Sequence, residues 1–232
     1  MFSRNILIAL SQPEDGDMRA QASDGNGLER RRIFLESEGF RSDQAVYAGL
    51  DHGTNVIAVR GTDAGQTVPD VDGLVTNEAG LVLGLTVADC LPVYLYDPRT
   101  EAIGLLHAGW RGLEQGVLRQ GIERMQQSFR VHPEDVFAAI GPSIRSCHYQ
   151  VGEEVARRFR ARYSLALEQR GLETRLDLTR VARMQLGEVG VIARHIEVHP
   201  HCTYCRPGLY FSRRRQGTGF GLMLATIARL PS

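Results

Sequence analysis

The apolar positions along the chain fall into two periods. Leu81–Val87, Pro92–Tyr96 and Ala102–His107 are closely spaced apolar runs of strand length, and Asn55–Val59, Asp135–Ile140 and Ile192–Val198 are further strand candidates. The Gly141-Pro142 pair closes the run that ends at Ile140. Leu113, Val117, Leu118, Ile122, Met125 and Phe129 recur at helical spacing and predict a helix over 112–129. Val155, Phe159 and Tyr163 mark a second helix, and 178–188 a third. Leu28, Arg32 and Leu35 before Gly39 predict an N-terminal helix with a glycine cap. The rest of the first fifty residues is polar and irregular, and the chain ends in the apolar stretch Leu222–Leu230. Strands and helices interleave while several strands read as hairpin partners. This predicts an α/β (α+β) fold with mixed sheets rather than a doubly wound parallel one.

Composition narrows the chemistry. The 232 residues are 43% apolar and 23% charged, an ordinary globular balance that fits one domain over 1–232. Lys+Arg and Asp+Glu both number 27, so no net basic charge points to nucleic acid as a partner. Every basic residue counted there is arginine, which removes Schiff-base chemistry, Walker-A nucleotide binding and lysine general bases. The longest apolar stretch, Ala79–Ala88, ends at Asp89 and is too short to span a bilayer, so no membrane association is expected. The run Ile6–Leu10 is shorter than a signal-peptide core. Four cysteines (Cys90, Cys147, Cys202 and Cys205) are too few for a disulfide scaffold at this length. The expected compartment is the reduced cytoplasm, where cysteine and histidine more often serve catalysis or metal binding.

One pair of runs carries chemistry. Thr86-Val87-Ala88-Asp89-Cys90-Leu91-Pro92 and Leu105-Leu106-His107-Ala108-Gly109-Trp110-Arg111-Gly112 flank the turn sequence Asp97-Pro98-Arg99-Thr100. If those four residues form the hairpin loop, Tyr96 faces Glu101 and Cys90 faces His107. Cross-strand partners on one face have Cβ atoms roughly 4.5–5.5 Å apart. A thiolate and an imidazole so placed are able to share a metal or act as nucleophile and base; equally, a free cysteine often simply packs. Glycines at the strand-to-helix junction Gly109–Gly112 allow close approach of an anion, to which Arg111 can add a bidentate contact.

Ala88-Asp89-Cys90-Leu91-Pro92-Val93 followed by His107-Ala108-Gly109-Trp110-Arg111-Gly112 resembles the bacterial laccase-domain family, also called the purine nucleoside phosphorylase, polyphenol oxidase or peptidoglycan editing factor family. Asp51-His52-Gly53-Thr54-Asn55-Val56, Gly141-Pro142-Ser143-Ile144 with Tyr149-Gln150-Val151-Gly152, and Cys202-Thr203-Tyr204-Cys205 with Phe211-Ser212-Arg213-Arg214-Arg215 extend the resemblance over about residues 50–230. It implies a four-layer α/β/β/α fold and a mononuclear zinc site of His52, Cys90 and His107. Three protein ligands with a fourth position open is the pattern of catalytic zinc. Asp89, beside the thiolate, then orients a ligand or accepts a proton, and Arg111 and Arg214 contact substrate. A comparison of the fold with cysteine hydrolases instead casts Cys90 as nucleophile and His107 as base.

The resemblance implies phosphorolysis of purine nucleosides, with adenosine, inosine and methylthioadenosine as substrates, phosphate as the second substrate, and adenosine deaminase activity. Alternatives are an amidase that removes serine from a nucleotide-linked peptidoglycan precursor, a copper polyphenol oxidase, and a non-catalytic zinc-bearing binding protein. Copper chemistry of the laccase kind needs several His-rich sites, and this chain has seven histidines. The oligomeric state is left open between monomer and homodimer. The N-terminal segment 1–45 departs from the family: Leu10–Gly16 stands where a Thr-Arg-x-Gly-Gly-Val-Ser segment is usual, and Thr218-Gly219-Phe220 where Thr-Gly-Arg is usual. His199-x-His201-Cys202-x-x-Cys205 has the spacing of a zinc element but lacks a second pair, and reads more simply as a buried turn with free thiols. His148, beside Cys147, is able to join a second site of this kind but reads more simply as part of a surface loop.

Overall fold

The computed structural model describes residues 5–231. In chain order the elements are β1 (Ile6–Leu10), α1 (Gly27–Ser37), β2 (Ala45–Gly49), β3 (Val56–Ala58), β4 (Thr67–Pro69), β5 (Gly73–Thr76), β6 (Val82–Val87), β7 (Leu91–Asp97), β8 (Ala102–Ala108), α2 (Trp110–Gln115), α3 (Val117–Phe129), β9 (Phe137–Ile140), β10 (Gln150–Val151), α4 (Glu153–Tyr163), β11 (Leu167–Arg170), β12 (Glu173–Leu176), α5 (Leu178–Glu188), β13 (Ile196–Val198), α6 (Arg213–Gln216) and β14 (Met223–Arg229). A five-stranded sheet runs β1-β14-β6-β2-β4, a six-stranded sheet runs β13-β9-β7-β8-β5-β3, and β10-β12-β11 form a small third sheet. Parallel and antiparallel pairs occur in both large sheets, so they are mixed as predicted.

Side-chain alternation builds the layers. Tyr94 and Tyr96 of β7 with Ile103 and Leu105 of β8 pack against Leu83, Leu85 and Ile227 of the other large sheet. Their neighbours Val93, Leu95 and Leu106 point the opposite way, onto Leu118, Ile122 and Met125 of α3. On the far side of the five-stranded sheet, Val82 and Leu224 cover Phe34 and Leu35 of α1. The result is the α/β/β/α order, with both central strands of the inner sandwich buried on both faces.

Leu106 packs tightly between β5 and α3. Its side chain fills the space a Cβ would need at Gly73 of β5 and at Gly121 of α3, where the added atom would lie 2.4 Å from a Leu106 methyl. Gly121→Ala therefore sets a helix-propensity gain of about 1 kcal/mol against overpacking of about 1–3 kcal/mol. We expect net destabilisation, read as a lower urea midpoint with an unchanged slope.

Four expectations are corrected. The predicted helix over 112–129 is two helices, α2 and α3, because Gly116 adopts φ 90° and breaks the run. The strand predicted over Ile192–Val198 begins only at Ile196, after a 3₁₀ turn at Ala193–His195. The N-terminal region is not irregular apart from one helix: β1 pairs with β14 and β2 with β6, so the first fifty residues supply two strands of the five-stranded sheet.

The hairpin register also differs. Asp97 closes β7 opposite Ala102, and the loop is Pro98–Glu101. The buried Asp97 carboxylate accepts Arg99 N–H at 2.9 Å and Thr100 Oγ1 at 2.7 Å, which makes it the first residue of the turn and the last of the strand. Glu101 takes φ 59° to complete the loop. His107 thus faces Pro92, not Cys90, and Cys90 lies just before β7. A slip of two residues preserves side-chain parity, so Cys90 and His107 still share a face.

Candidate metal centre and active site

His107 projects from the end of β8 on the sandwich face, the side of Ile103 and Leu105. Asp72, one residue before β5, continues the β5–β8 register in which Gly73 faces Leu106. His107 N–H donates to Asp72 C=O at 2.7 Å, and the two side chains meet at 2.6 Å between His107 Nδ1 and Asp72 Oδ1. Both are buried. With Nδ1 held by a carboxylate, Nε2 is the nitrogen left for a ligand.

The loop after β2 brings His52 to the same place. Gly53 N–H donates to the second Asp72 oxygen at 2.7 Å, which ties the His52 loop to the His107 strand. His52 has φ 65°, a left-handed conformation that this tether holds. Its ring meets His107 edge to face, with centroids 4.8 Å apart. Cys90 enters from the β6–β7 connection, and the ligand atoms of His52, Cys90 and His107 all lie within 4.8 Å of one another. Gly109 closes over them: a Cβ there would stand 2.9 Å from Cys90 Sγ and 3.6 Å from the His52 ring.

Asp89 also sits in the left-handed region, at φ 85°, and is buried. Its carboxylate accepts Thr203 Oγ1 at 2.5 Å, Ser212 Oγ at 3.0 Å and Arg214 N–H at 2.7 Å. These three donors fix the C-terminal segment to the turn that carries Cys90. Arg214 further donates to Gln150 C=O at 2.8 Å and stacks on Tyr149. Arg111 is exposed and folds over Trp110. Arg214 thus lies on the Tyr149 side of the centre. The arginines that line the cleft above His52, Cys90 and His107 are Arg19, Arg31 and Arg213, in a volume of about 730 Å³ that Phe220 and Leu50 also border. Arg31 is buried, donates Nε–H to Met18 C=O at 2.7 Å and stacks on Tyr47.

Electrostatics pair the thiol with the imidazole. Burial alone would raise the Cys90 thiol, but the neighbouring His107 charge and hydrogen bonds from both histidines bring it down to about 6. Burial likewise opposes protonation of His107, yet the Cys90 thiolate and Asp72 raise it to about 9. Burial would also raise Asp72, but its bonds to His107 and the Asp51–Gly53 turn hold it well below the usual carboxylate range. The Cys90 contribution to stability is lost as pH falls through about 6, and that of His107 as pH rises through about 9. Between those limits the folded pair holds one proton on imidazole where the unfolded pair holds one on sulfur. Stability therefore changes little with pH there, and reactivity reports the pair instead. We expect metal-free protein to be alkylated by iodoacetamide at half-buried Cys90 with a midpoint near pH 6, and added zinc to suppress it, both read by peptide mass.

The sequence pattern of the family described as "Multi-copper polyphenol oxidoreductase laccase" matches residues 17–230. The chain belongs to that family. A relative named purine nucleoside phosphorylase YlmD, from Geobacillus stearothermophilus, is 36% identical over 214 residues, 87% of this chain and 78% of the relative. A purine nucleoside phosphorylase of Deinococcus radiodurans is 33% identical over 201 residues, 86% of this chain and 76% of the relative. The crystal structure of YlmD from Geobacillus stearothermophilus superposes with a TM-score of 0.93 at 31% identity, covering 98% of this chain and 93% of that one. The relatives are enzymes that act on small molecules by name, and the mixed α/β architecture is shared. No helix among the described residues is long and apolar enough to cross a membrane.

The second sequence element is rebuilt by the fold. His201 Nδ1 meets Tyr210 Oη at 2.9 Å, and His199 Nδ1 accepts His201 N–H at 3.3 Å, so neither histidine joins the cysteines. Cys202 and Cys205 instead face Cys147 and His148. Sequence reasoning missed Asp72, Arg19 and Arg31, and from Arg213-Arg214-Arg215 it chose Arg214, whereas Arg213 is the one that lines the cleft.

Proposed function

We propose that the chain is a cytoplasmic, zinc-dependent purine nucleoside phosphorylase. The observation that carries this reading is a thiolate and two imidazoles converging at the floor of a cleft lined by three arginines. The donor set fits the ion: one sulfur and two nitrogens suit zinc, with copper next by softness, and three ligands leave a position free. Bound there, zinc would supply a Lewis acid that draws charge from the reacting group.

The chain's own residues do the rest. Arg19, Arg31 and Arg213 offer the charge that phosphate requires, and the cleft lies within the range of small-molecule pockets. Phe220 and Leu50 give a purine ring apolar surface. A phosphate oxygen attacks the ribose anomeric carbon as the bond to the base nitrogen breaks, releasing base and ribose 1-phosphate. Asp72 keeps the His107 ring in one orientation throughout. The same cleft admits adenosine with water, which gives inosine and ammonia. Free thiols fit a reducing compartment.

The test is incubation with adenosine and phosphate, with adenine, inosine and ribose 1-phosphate followed by chromatography and metal content measured alongside. We expect about one catalytic zinc per chain and release of adenine that depends on phosphate. Arg213→Gln, at an exposed position, should raise the KM for phosphate about tenfold with kcat little changed. No adenine release from zinc-loaded protein would reject the nucleoside reading.

One observation favours a second reading. Cys90, His107 and Asp72 stand in the order nucleophile, base and orienting carboxylate, which is the arrangement of a cysteine hydrolase. A serine amide on a nucleotide-linked peptidoglycan precursor is its substrate class. A burst of amine release from metal-free protein, with an acyl group found on Cys90, would favour it over zinc chemistry.

A further inference from the structure

We propose that Cys147, His148, Cys202 and Cys205 form a second zinc site, structural in kind, that clamps together the two loops behind Asp89. The fold brings them to one place. Strands β9 and β13 pair in parallel, with Ala138 opposite Ile196 and Ile140 opposite Val198, so the chain leaves both at the same end. The loop after β9 and the loop after β13 then run side by side. They are joined by a bridge between Ser143 and Cys202 and by Thr203 N–H donating to Ser143 C=O at 3.1 Å. Beyond these bonds both loops are irregular, and a cross-link there has an evident structural use.

The four ligand atoms lie within 4.8 Å of one another. Cys147 Sγ and Cys205 Sγ are 3.8 Å apart. A tetrahedral ion with Zn–S bonds of about 2.3 Å requires sulfurs about 3.8 Å apart. His148 Nδ1 lies 3.3 Å from Cys147 Sγ and 3.2 Å from Cys205 Sγ, so the nitrogen faces both sulfurs. The His148 ring is held by stacking on Tyr204, with centroids 4.1 Å apart. The buried Cys202 sulfur accepts Arg145 N–H at 3.4 Å, the kind of backbone bond that orients a coordinating thiolate. Arg145 also reaches across to the carbonyls of His199 and His201, which keeps the second loop in register with the first. Three sulfurs and one nitrogen complete a closed coordination shell with no position for substrate, the signature of structural zinc. A disulfide between Cys147 and Cys205 would use two of the four groups and leave buried Cys202 and the His148 nitrogen without a role.

The clamp bears on the active site through Thr203. That residue lies between the two cysteines of the Cys-x-x-Cys turn and donates to Asp89, which in turn sets the position of Cys90. The ion is thus a positioning element for the catalytic turn, and the proposal holds whichever substrate the cleft takes.

The experiment separates the two sites by working in Cys90→Ala protein, which lacks one ligand of the first. Purified under reducing conditions, wild type should carry about two zinc per chain and the Cys90→Ala protein about one. Metal-stripped Cys90→Ala protein titrated with cobalt should develop the intense thiolate-to-metal absorption and the visible bands of a tetrahedral site, saturating at one equivalent. The same titration of Cys90→Ala with Cys147→Ser and Cys205→Ser should give neither. The cobalt spectrum of the single variant stands by itself should the triple variant fail to fold. Absence of those bands, an intact mass showing Cys147 joined to Cys205 in the reduced preparation, or equal metal in the single and triple variants would each overturn the proposal.

Discussion

Cys90→Ala is expected to remove the catalytic metal and to lower phosphorolysis by about a thousandfold or more. The sulfur is the one anionic donor of the three, and its charge is what makes the triplet attract a divalent cation strongly. Without it two imidazoles remain, and zinc held by two neutral nitrogens exchanges readily with solvent. The fold should survive the change. Cys90 lies outside β7, its neighbour Asp89 keeps all three of its donors, and no core cluster includes the thiol. Metal analysis, circular dichroism and turnover on one preparation check all three statements. A variant that keeps its full metal content would move catalysis away from His52, Cys90 and His107. A variant that loses metal yet turns over at the wild-type rate would show that the ion there is not part of the reaction.

Much of this centre was readable along the chain because strand periodicity conserves parity. Cys90 and His107 fall on one face for any hairpin loop whose register differs by two, so their shared face survived a wrong loop assignment although the direct pairing did not. The error arose at Asp97. In sequence it is a turn former, whereas here its buried carboxylate caps the turn from the last strand position. His52 was reachable only through its motif, since nothing in the local pattern places an exposed polar loop against β8. Asp72 had no signal at all: it lies 35 residues from His107, and it meets that residue through the β5–β8 pairing, which the sequence reading did not include. Arg19 and Arg31 lie in the segment read as polar and divergent, yet both line the cleft: α1, which carries Arg31, packs on Val82 and Leu224, and Arg19, before α1, donates to Phe220 C=O. The same limit applies to Cys147 and Cys205, separated by 58 residues and joined by parallel strands that a linear pattern does not reveal. Local period foretold mixed sheets with interleaved helices, the resemblance implied the layer order, and long-range register decided the chemistry.

Register also isolates the cleanest test of how the centre is tuned. Asp72→Asn should weaken zinc binding about 10–100-fold, the usual loss when the carboxylate behind a ligating histidine is removed. The backbone bond from His107 N–H to Asp72 C=O is untouched by the substitution, so β5 and β8 stay paired and the effect belongs to the side chain. An amide in that place faces a conflict. Its oxygen can accept from His107 Nδ1–H or from Gly53 N–H, which approach opposite oxygens of the carboxylate, but not from both. If it serves His107, its NH₂ group points at the Gly53 N–H and pushes the His52 loop away. If it serves Gly53, His107 loses its acceptor and turns freely between tautomers. Either way one imidazole of the triplet is misplaced. The charge matters separately: without the carboxylate beside it, His107 holds its proton less tightly, and the Cys90 thiolate loses part of the support that keeps it ionised near pH 6. The alkylation midpoint of metal-free Asp72→Asn should therefore move up, toward that of an ordinary thiol. A chelator competition curve for zinc and the pH profile of Cys90 alkylation read the two effects independently. Loss of zinc affinity with an unmoved alkylation midpoint would mean that Asp72 only orients. A shifted midpoint with unchanged zinc affinity would mean that the loops hold the histidines by themselves, and that Asp72 sets charge alone.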